Sequence, residues 1–180
     1  KRQNSSRFPG KPLALISGET LISRVAKIAH KVLNPSHVYV VTDSQLIQNH
    51  CESLNIQTIM TSSDNLTGTD RIAEAANSLN YDFYINLQGD EPTVNPLDIE
   101  SCISYGQDYP NYVINFYHPI VDTDPSSLSI PKVVFNESND LIYISRSLVP
   151  GNKKTEDLNK TFYRQVCIYG FSQEHLKSFS

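Results

Sequence analysis

Apolar residues at Leu21, Ile22, Val25, Ile28, Ala29 and Val32 recur with the spacing of one helical face, and Asn34-Pro35 stops the run, so a helix is predicted from Thr20 to Leu33. His37 to Thr42 is a β-branched run that reads as a buried strand. Asp43 or Ser44 can cap a following helix to about Leu54, and Ile56 to Met60 is a short strand. Thr61 to Gly68 carries loop residues. A helix opening at Thr69 or Asp70 then places Ile72, Ala75, Ala76 and Leu79 on one face. Tyr81 to Leu87 is a strand and Asn95 to about Gly106 a helix. Strands and helices alternating at this interval predict a parallel sheet covered on both faces.

Beyond this point the pattern changes. Tyr112 to Tyr117, Lys132 to Phe135, Leu141 to Ser145 and Thr161 to Tyr169 read as strands with little helix between them. Asn136 to Asp140 (Asn-Glu-Ser-Asn-Asp) reads as a hairpin turn that makes antiparallel neighbours. Gly151 to Asn159 is charged and loop-like, with the character of a mobile flap. The expectation is one mixed α/β domain over 1–180, its front half parallel and its later strands antiparallel, with room for an appended lobe.

Charge narrows the function classes. Fifteen Lys and Arg against nineteen Asp and Glu give −4, which argues against a general nucleic-acid binder or an anionic-membrane binder, since both need a basic face. No run approaches the ~18 apolar residues of a membrane span. Cys51, Cys102 and Cys167 are odd in number and far apart, and read as thiols of a reducing compartment, which points to the cytoplasm. The five histidines show no paired metal spacing.

Five segments can carry chemistry. Arg2 to Pro12 packs Arg2, Arg7 and Lys11, the hydroxyls of Ser5 and Ser6 and the Gly10 turn into one loop ahead of a helix; such a loop either wraps a polyphosphate or is a solvated basic terminus. Asn86-Leu87-Gln88-Gly89-Asp90-Glu91-Pro92 ends an apolar strand in an abrupt polar cluster, as at strand carboxyl ends that bind ligands. Asp90 and Glu91 offer hard oxygens for Mg²⁺ and Gly89 lets a phosphate approach, or the segment is a hydrophilic turn. Thr67-Gly68-Thr69-Asp70-Arg71 either holds a nucleotide at a helix start or caps that helix. Arg146, after Ser145, and Arg164, before Gln165, sit in late strands, where an arginine faces an acidic substrate or snorkels.

Taken together, these motifs resemble the 3-deoxy-manno-octulosonate (Kdo) cytidylyltransferases. The front loop is similar to the family's Arg-x-x-Ser-Thr-Arg-Leu-Pro-Gly-Lys-Pro-Leu, with Ser6 for Thr and Phe8 for Leu. Thr42-Asp43, Thr67 to Glu74, Asn86 to Pro92, Lys132 to Val134, Ser145-Arg146 and Ile168 to Gly170 follow in the family's order. The resemblance implies a Rossmann-like fold of the nucleotide-diphospho-sugar transferase type, a homodimer, Mg²⁺ as cofactor, and transfer of CMP from CTP to the sugar acid for lipopolysaccharide or capsule. It implies that Arg2, Arg7 and Lys11 hold the triphosphate with Ser6 adding a hydroxyl, and that Thr67, Gly68 and Arg71 lie near the cytosine and ribose. Gln88 would face nucleotide and sugar, Asp90 would bind the metal and act with Lys11 in catalysis, and Arg164, Gln165 and Tyr169 would lie near the sugar's carboxylate and hydroxyls.

Departures accompany the match. A first strand ahead of Arg2, and a C-terminal quarter with dimer contacts and a second metal-binding aspartate, are implied by the resemblance and absent from the sequence. Gln165 stands where the family usually has His, and Cys167 where it has Gly. Two further readings therefore stand beside the first: the same chemistry on another keto-deoxy sugar acid, or a degenerate nucleotide-binding domain without turnover.

Overall fold

The computed structural model describes residues 10–151 and 161–179. Contacts group the chain into two compact units, one made of Lys1–Ile114 with Ile168–Ser180 and the other of Asn115–Cys167. The later strands, read as part of one domain, fall in the second unit as far as Cys167.

In the first unit a two-residue hairpin, β1 (Leu15–Ile16) with β2 (Glu19–Thr20), leads into helix α1 (Leu21–Ala29). Thr20 caps α1 by accepting from the Ser23 amide, and the apolar face buries Leu21, Ile22, Val25, Ala26 and Ala29. The helix stops short of Leu33, whose amide closes a terminal turn on the Ala29 carbonyl. Strand β3 (Tyr39–Thr42) pairs in parallel with β4 (Gln57–Met60) across helix α2 (Gln45–Ser53). Ile22, Ala26, Val40, Ile47, Cys51 and Ile56 form one core cluster around them. Helix α3 (Gly68–Ala76), strand β5 (Phe83–Leu87) and helix α4 (Pro96–Asp108) follow.

The last strand, β9 (Tyr163–Ser172), runs antiparallel to β5 with Tyr169 opposite Asn86, and a short helix α5 (Gln173–Phe179) closes a second core of Ala73, Ala76, Tyr84, Phe171 and Leu176. Cβ atoms added to Gly106 of α4 or Gly170 of β9 would collide with the Phe83 ring, so both positions require glycine for helix and strand to close on it. The front half thus contains a parallel pair, β3 with β4, but its β5 has an antiparallel partner. Among the described residues β3 and β5 do not pair with each other; both line a cavity of about 380 Å³ whose walls also include Ile22, Val25 and Ala26 of α1 and Ile99 and Ile103 of α4.

The second unit is a small antiparallel sheet. Strand β7 (Lys132–Phe135) pairs with β8 (Leu141–Ser145) through the predicted hairpin, closed by the Asn136 amide on the Asp140 carbonyl and by Asn139 at φ 65°. Lys132 and Val133 also pair with Arg164 and Tyr163 of β9, which borders β6 (Ile114–Pro119) as well. Tyr117, Phe135 and Tyr163 pack their rings together with centroids 4.2–5.3 Å apart. No helix among the described residues is long and apolar enough to cross a membrane.

Candidate functional site

Three strand carboxyl ends and one helix start in the first unit carry most of the polar residues singled out in the sequence. At the ends of β3 and β4 stand Asp43 and Thr61, and Arg71 of α3 reaches both. Its guanidinium donates to the Asp43 carboxylate at 2.8 Å, the Thr61 hydroxyl at 2.6 Å and the Ser62 carbonyl at 3.3 Å. Arg71 is 4% exposed and Asp43 13%, so this is a buried ion pair, and Asp43 binds Arg71 instead of capping α2. The Arg71 side chain therefore holds the loop that precedes α3. Glu74 assists by accepting from the Ser62 amide at 2.9 Å.

Helix α3 begins at Gly68, one to two residues earlier than predicted, because Thr67 rather than Thr69 is the cap. The Thr67 hydroxyl accepts from the Asp70 amide at 3.2 Å, and the Asp70 carboxylate accepts from the Thr67 amide at 2.6 Å, a reciprocal box that fixes the turn. A Cβ on Gly68 would stand 3.6 Å from the Gln88 amide nitrogen, so Thr67-Gly68 and Gln88 face a common space. Gln88 and Gly68 both line the cavity. Asn86, two residues earlier on β5, is 3% exposed, and its Nδ2 has no hydrogen-bond partner among the described residues.

Past the end of β5, the Asp90 carboxylate accepts from the Lys11 ammonium at 2.8 Å, both side chains remaining partly open to solvent. Two sequence segments 79 residues apart, each read as phosphate- or metal-binding, therefore meet at one point. Gly89 has a packing reason for its missing side chain: a Cβ there would approach Ile22 Cδ1 to 2.8 Å. Among the described residues no three His, Cys, Asp or Glu side chains converge into a metal cage. Arg2, Ser6 and Arg7, and most of the Gly151 to Asn159 flap, lie outside the described residues.

The remaining predicted residues are divided. Tyr169 of β9 is in the first unit, its ring stacked on Phe171 at 6.3 Å and packed against the second core. Arg164 and Gln165 are in the second unit. As consecutive residues of a strand they point to opposite faces, so the structure does not bring them together. Arg164 is exposed, while Gln165 is half-buried and bonded to Asn115, a partner 50 residues away that sequence reasoning missed. Arg146 donates to the carbonyls of Leu128 and Ser129.

The chain matches the family of cytidylyltransferases across residues 1–180. It is 35% identical to a 3-deoxy-manno-octulosonate cytidylyltransferase of Escherichia coli, covering 99% of this chain and 72% of that protein. It is likewise 35% identical to an 8-amino-3,8-dideoxy-manno-octulosonate cytidylyltransferase of Shewanella baltica, over 99% of this chain and 75% of that one. The solved structure of a CMP:2-keto-3-deoxy-manno-octonic acid synthetase complexed with CTP superposes with a TM-score of 0.90 at 34% identity, covering 99% of this chain and 74% of the other.

Proposed function

Because the chain belongs to the 3-deoxy-manno-octulosonate cytidylyltransferase family, we propose that it activates Kdo with CTP, giving CMP-Kdo and pyrophosphate. The observation that carries this reading, beside family membership, is the Lys11–Asp90 pair next to the Gln88, Thr67 and Gly68 turn at the carboxyl end of β5. The sugar's anomeric oxygen forms a bond to the α-phosphorus, the bridging oxygen leaves with its electron pair as pyrophosphate, and the hydroxyl proton passes to solvent. Positioning and charge neutralisation do most of such catalysis.

In this proposal Lys11, whose ammonium is held by Asp90, turns to the phosphates, with Arg2, Ser6 and Arg7 of the same loop. The Thr67-Gly68 turn and Gln88, which face a common space, are assigned to the nucleotide. Arg71, committed to Asp43 and Thr61, supports the turn. Gln88, Gln165 and Tyr169 serve the sugar; Arg164, on the face opposite Gln165, is assigned no contact with it. A Mg²⁺ ion commonly takes one or two carboxylates plus substrate phosphates and water, and the single Asp90 carboxylate fits that donor set. When bound, the ion would supply positive charge to the triphosphate.

A second reading, 8-amino-3,8-dideoxy-manno-octulosonate as the sugar, is favoured by the equal identity to the Shewanella baltica relative. Pyrophosphate release measured with CTP, ATP and GTP against both sugar acids separates the two readings. The proposal requires CTP well ahead of either purine nucleotide, and equal release from ATP would remove it.

The homodimer and the cytoplasmic location are part of the same proposal. Leu141 and Tyr143 on one face of β8 and Ile142 on the other are 54–64% exposed, apolar positions of a strand whose one paired neighbour among the described residues is β7, and a second subunit would cover them. Three free thiols suit a reducing compartment.

A further inference from the structure

We infer that Asn115 and Gln165 form a specificity device of the sugar site, in which Asn115 fixes the Gln165 amide so that it offers the substrate a hydrogen-bond acceptor and selects a sugar that brings a donor, hydroxyl or ammonium, to that position. The inference rests on the assignment of Gln165 to the sugar site made above.

The orientation follows from one main-chain atom. The Val166 carbonyl can only accept, and Asn115 Nδ2 donates to it at 2.9 Å. Asn115 must therefore present Oδ1 to its other neighbour. That neighbour is Gln165, and an amide oxygen can only accept, so Gln165 must offer it Nε2, at 3.1 Å. The amide ends of both residues, which shape alone does not distinguish, are thus set by the bonding chain. Oε1 of Gln165 is left over beside the second Nε2–H, and it has no hydrogen-bond partner among the described residues.

The backbone is fixed as well. The Gln165 amide donates to the Pro131 carbonyl at 3.0 Å. A free glutamine can turn its amide over and greet a donor or an acceptor alike. Tied to Asn115, Gln165 would have to break a hydrogen bond and set oxygen against oxygen to do so. At the position facing the fixed Oε1, a sugar offering an acceptor is rejected and one offering a donor is kept.

The test uses the full-length enzyme and pyrophosphate release from CTP with Kdo. Gln165→Met, close in shape but without polar ends, should raise the KM for Kdo about tenfold and leave the KM for CTP unchanged. Asn115→Leu should raise the Kdo KM several-fold, and adding it to Gln165→Met should cost nothing further, because the device is already lost. Singly deoxygenated Kdo analogues give a readout on the parent enzyme that no unfolded variant can obscure. One of them should lose about tenfold in kcat/KM with the parent and lose nothing more with Gln165→Met. An unchanged Kdo KM in Gln165→Met, an equal rise in the KM for CTP, or no analogue penalised by the parent overturns the inference. A parent enzyme that releases no pyrophosphate with any sugar acid overturns the proposed function itself, a separable result.

Discussion

Arg71 and Lys132 are both buried cations, one in each unit, and they are neutralised in different ways. Arg71 meets a carboxylate, Asp43, at 2.8 Å and spends its remaining bonds on Thr61 and Ser62. Lys132, fully buried, donates to two main-chain carbonyls, Ser127 at 2.9 Å and Arg146, and makes no ion pair among the described residues. The hydroxyl and backbone amide of Ser126 hold the pKa of exposed Asp124 below the ordinary carboxylate value, and the Lys132 charge adds a smaller lowering from a distance. A cation held by an anion ties elements through a paired charge, here the ends of β3 and β4 against α3, whereas Lys132 ties the stretch before β7 to the residue that follows β8 through main-chain carbonyls alone. The first unit thus joins its strand ends with a charge pair, and the second joins two segments with a cation that has no counter-charge among the described residues.

The largest expected effect breaks the first arrangement. Arg71→Ala leaves the Asp43 carboxylate buried and unpaired, and thermal or urea unfolding should show a loss of about 3–5 kcal/mol. An Asp43→Leu/Arg71→Met double variant should recover most of it, because no lone charge remains. Loss of less than about 1 kcal/mol in Arg71→Ala would mean that the pair is not what ties the strand ends together.

Lys11 and Asp90 also form a pair in the first unit, but both are partly solvent-exposed. Such a pair contributes little stability. Asp90→Asn should therefore unfold like the parent while Mg²⁺-dependent pyrophosphate release falls about a hundredfold or more. Turnover within about threefold of the parent at saturating Mg²⁺ would remove Asp90 from the metal.

Lys132→Met tests the other side of the comparison. Two carbonyls lose a donor, but a buried charge disappears, so the opposing effects should leave a net change of about 1 kcal/mol. A loss as large as that of Arg71→Ala would show that the two cations are equivalent after all.

The smallest effect concerns thiols. Burial pushes Cys51 up to about 11, with Glu52 adding to it, and Cys102 up to about 12, whereas Cys167 is only half-buried. The unfolded chain releases these protons from about pH 8.5. The folded state keeps them, so stability is level below that pH and falls as pH rises from there toward 11. The melting temperature should be unchanged between about pH 7 and 8 and drop above 9, the drop being smaller in Cys102→Ala. A thiol reagent at about pH 8 should label Cys167 first.

Much of this contrast was hidden in the sequence. The β-branched run read from His37 to Thr42 and the periodic helix read from Thr20 to Leu33 were legible, as Tyr39–Thr42 and the shorter Leu21–Ala29, because local pattern and burial agree there. So was the hairpin at Asn136 to Asp140, where several turn-forming residues coincide. Helix α5 was not: seven residues carry too few turns for a periodic signal. The resemblance placed Lys11 and Asp90 in one site, yet Arg71 looked like a ligand-facing cation, since sequence does not record that Asp43, 28 residues away, awaits it. The resemblance implies that Arg164 and Gln165 both lie near the sugar, and as consecutive residues of β9 they point to opposite faces. Asn115, which sets the Gln165 amide, belongs to no motif, being joined to it only by strand packing.

The central claim, α-phosphoryl transfer from CTP to a keto-deoxy sugar acid, is tested most directly by following CTP labelled at its α-phosphate. Incubated with Mg²⁺ and Kdo, the full-length enzyme should move the label into CMP-Kdo with one pyrophosphate released per label transferred, and leave it in CTP when the sugar is omitted. Label that stays in CTP with every sugar acid offered, or that appears as CMP whether or not a sugar is present, would contradict it.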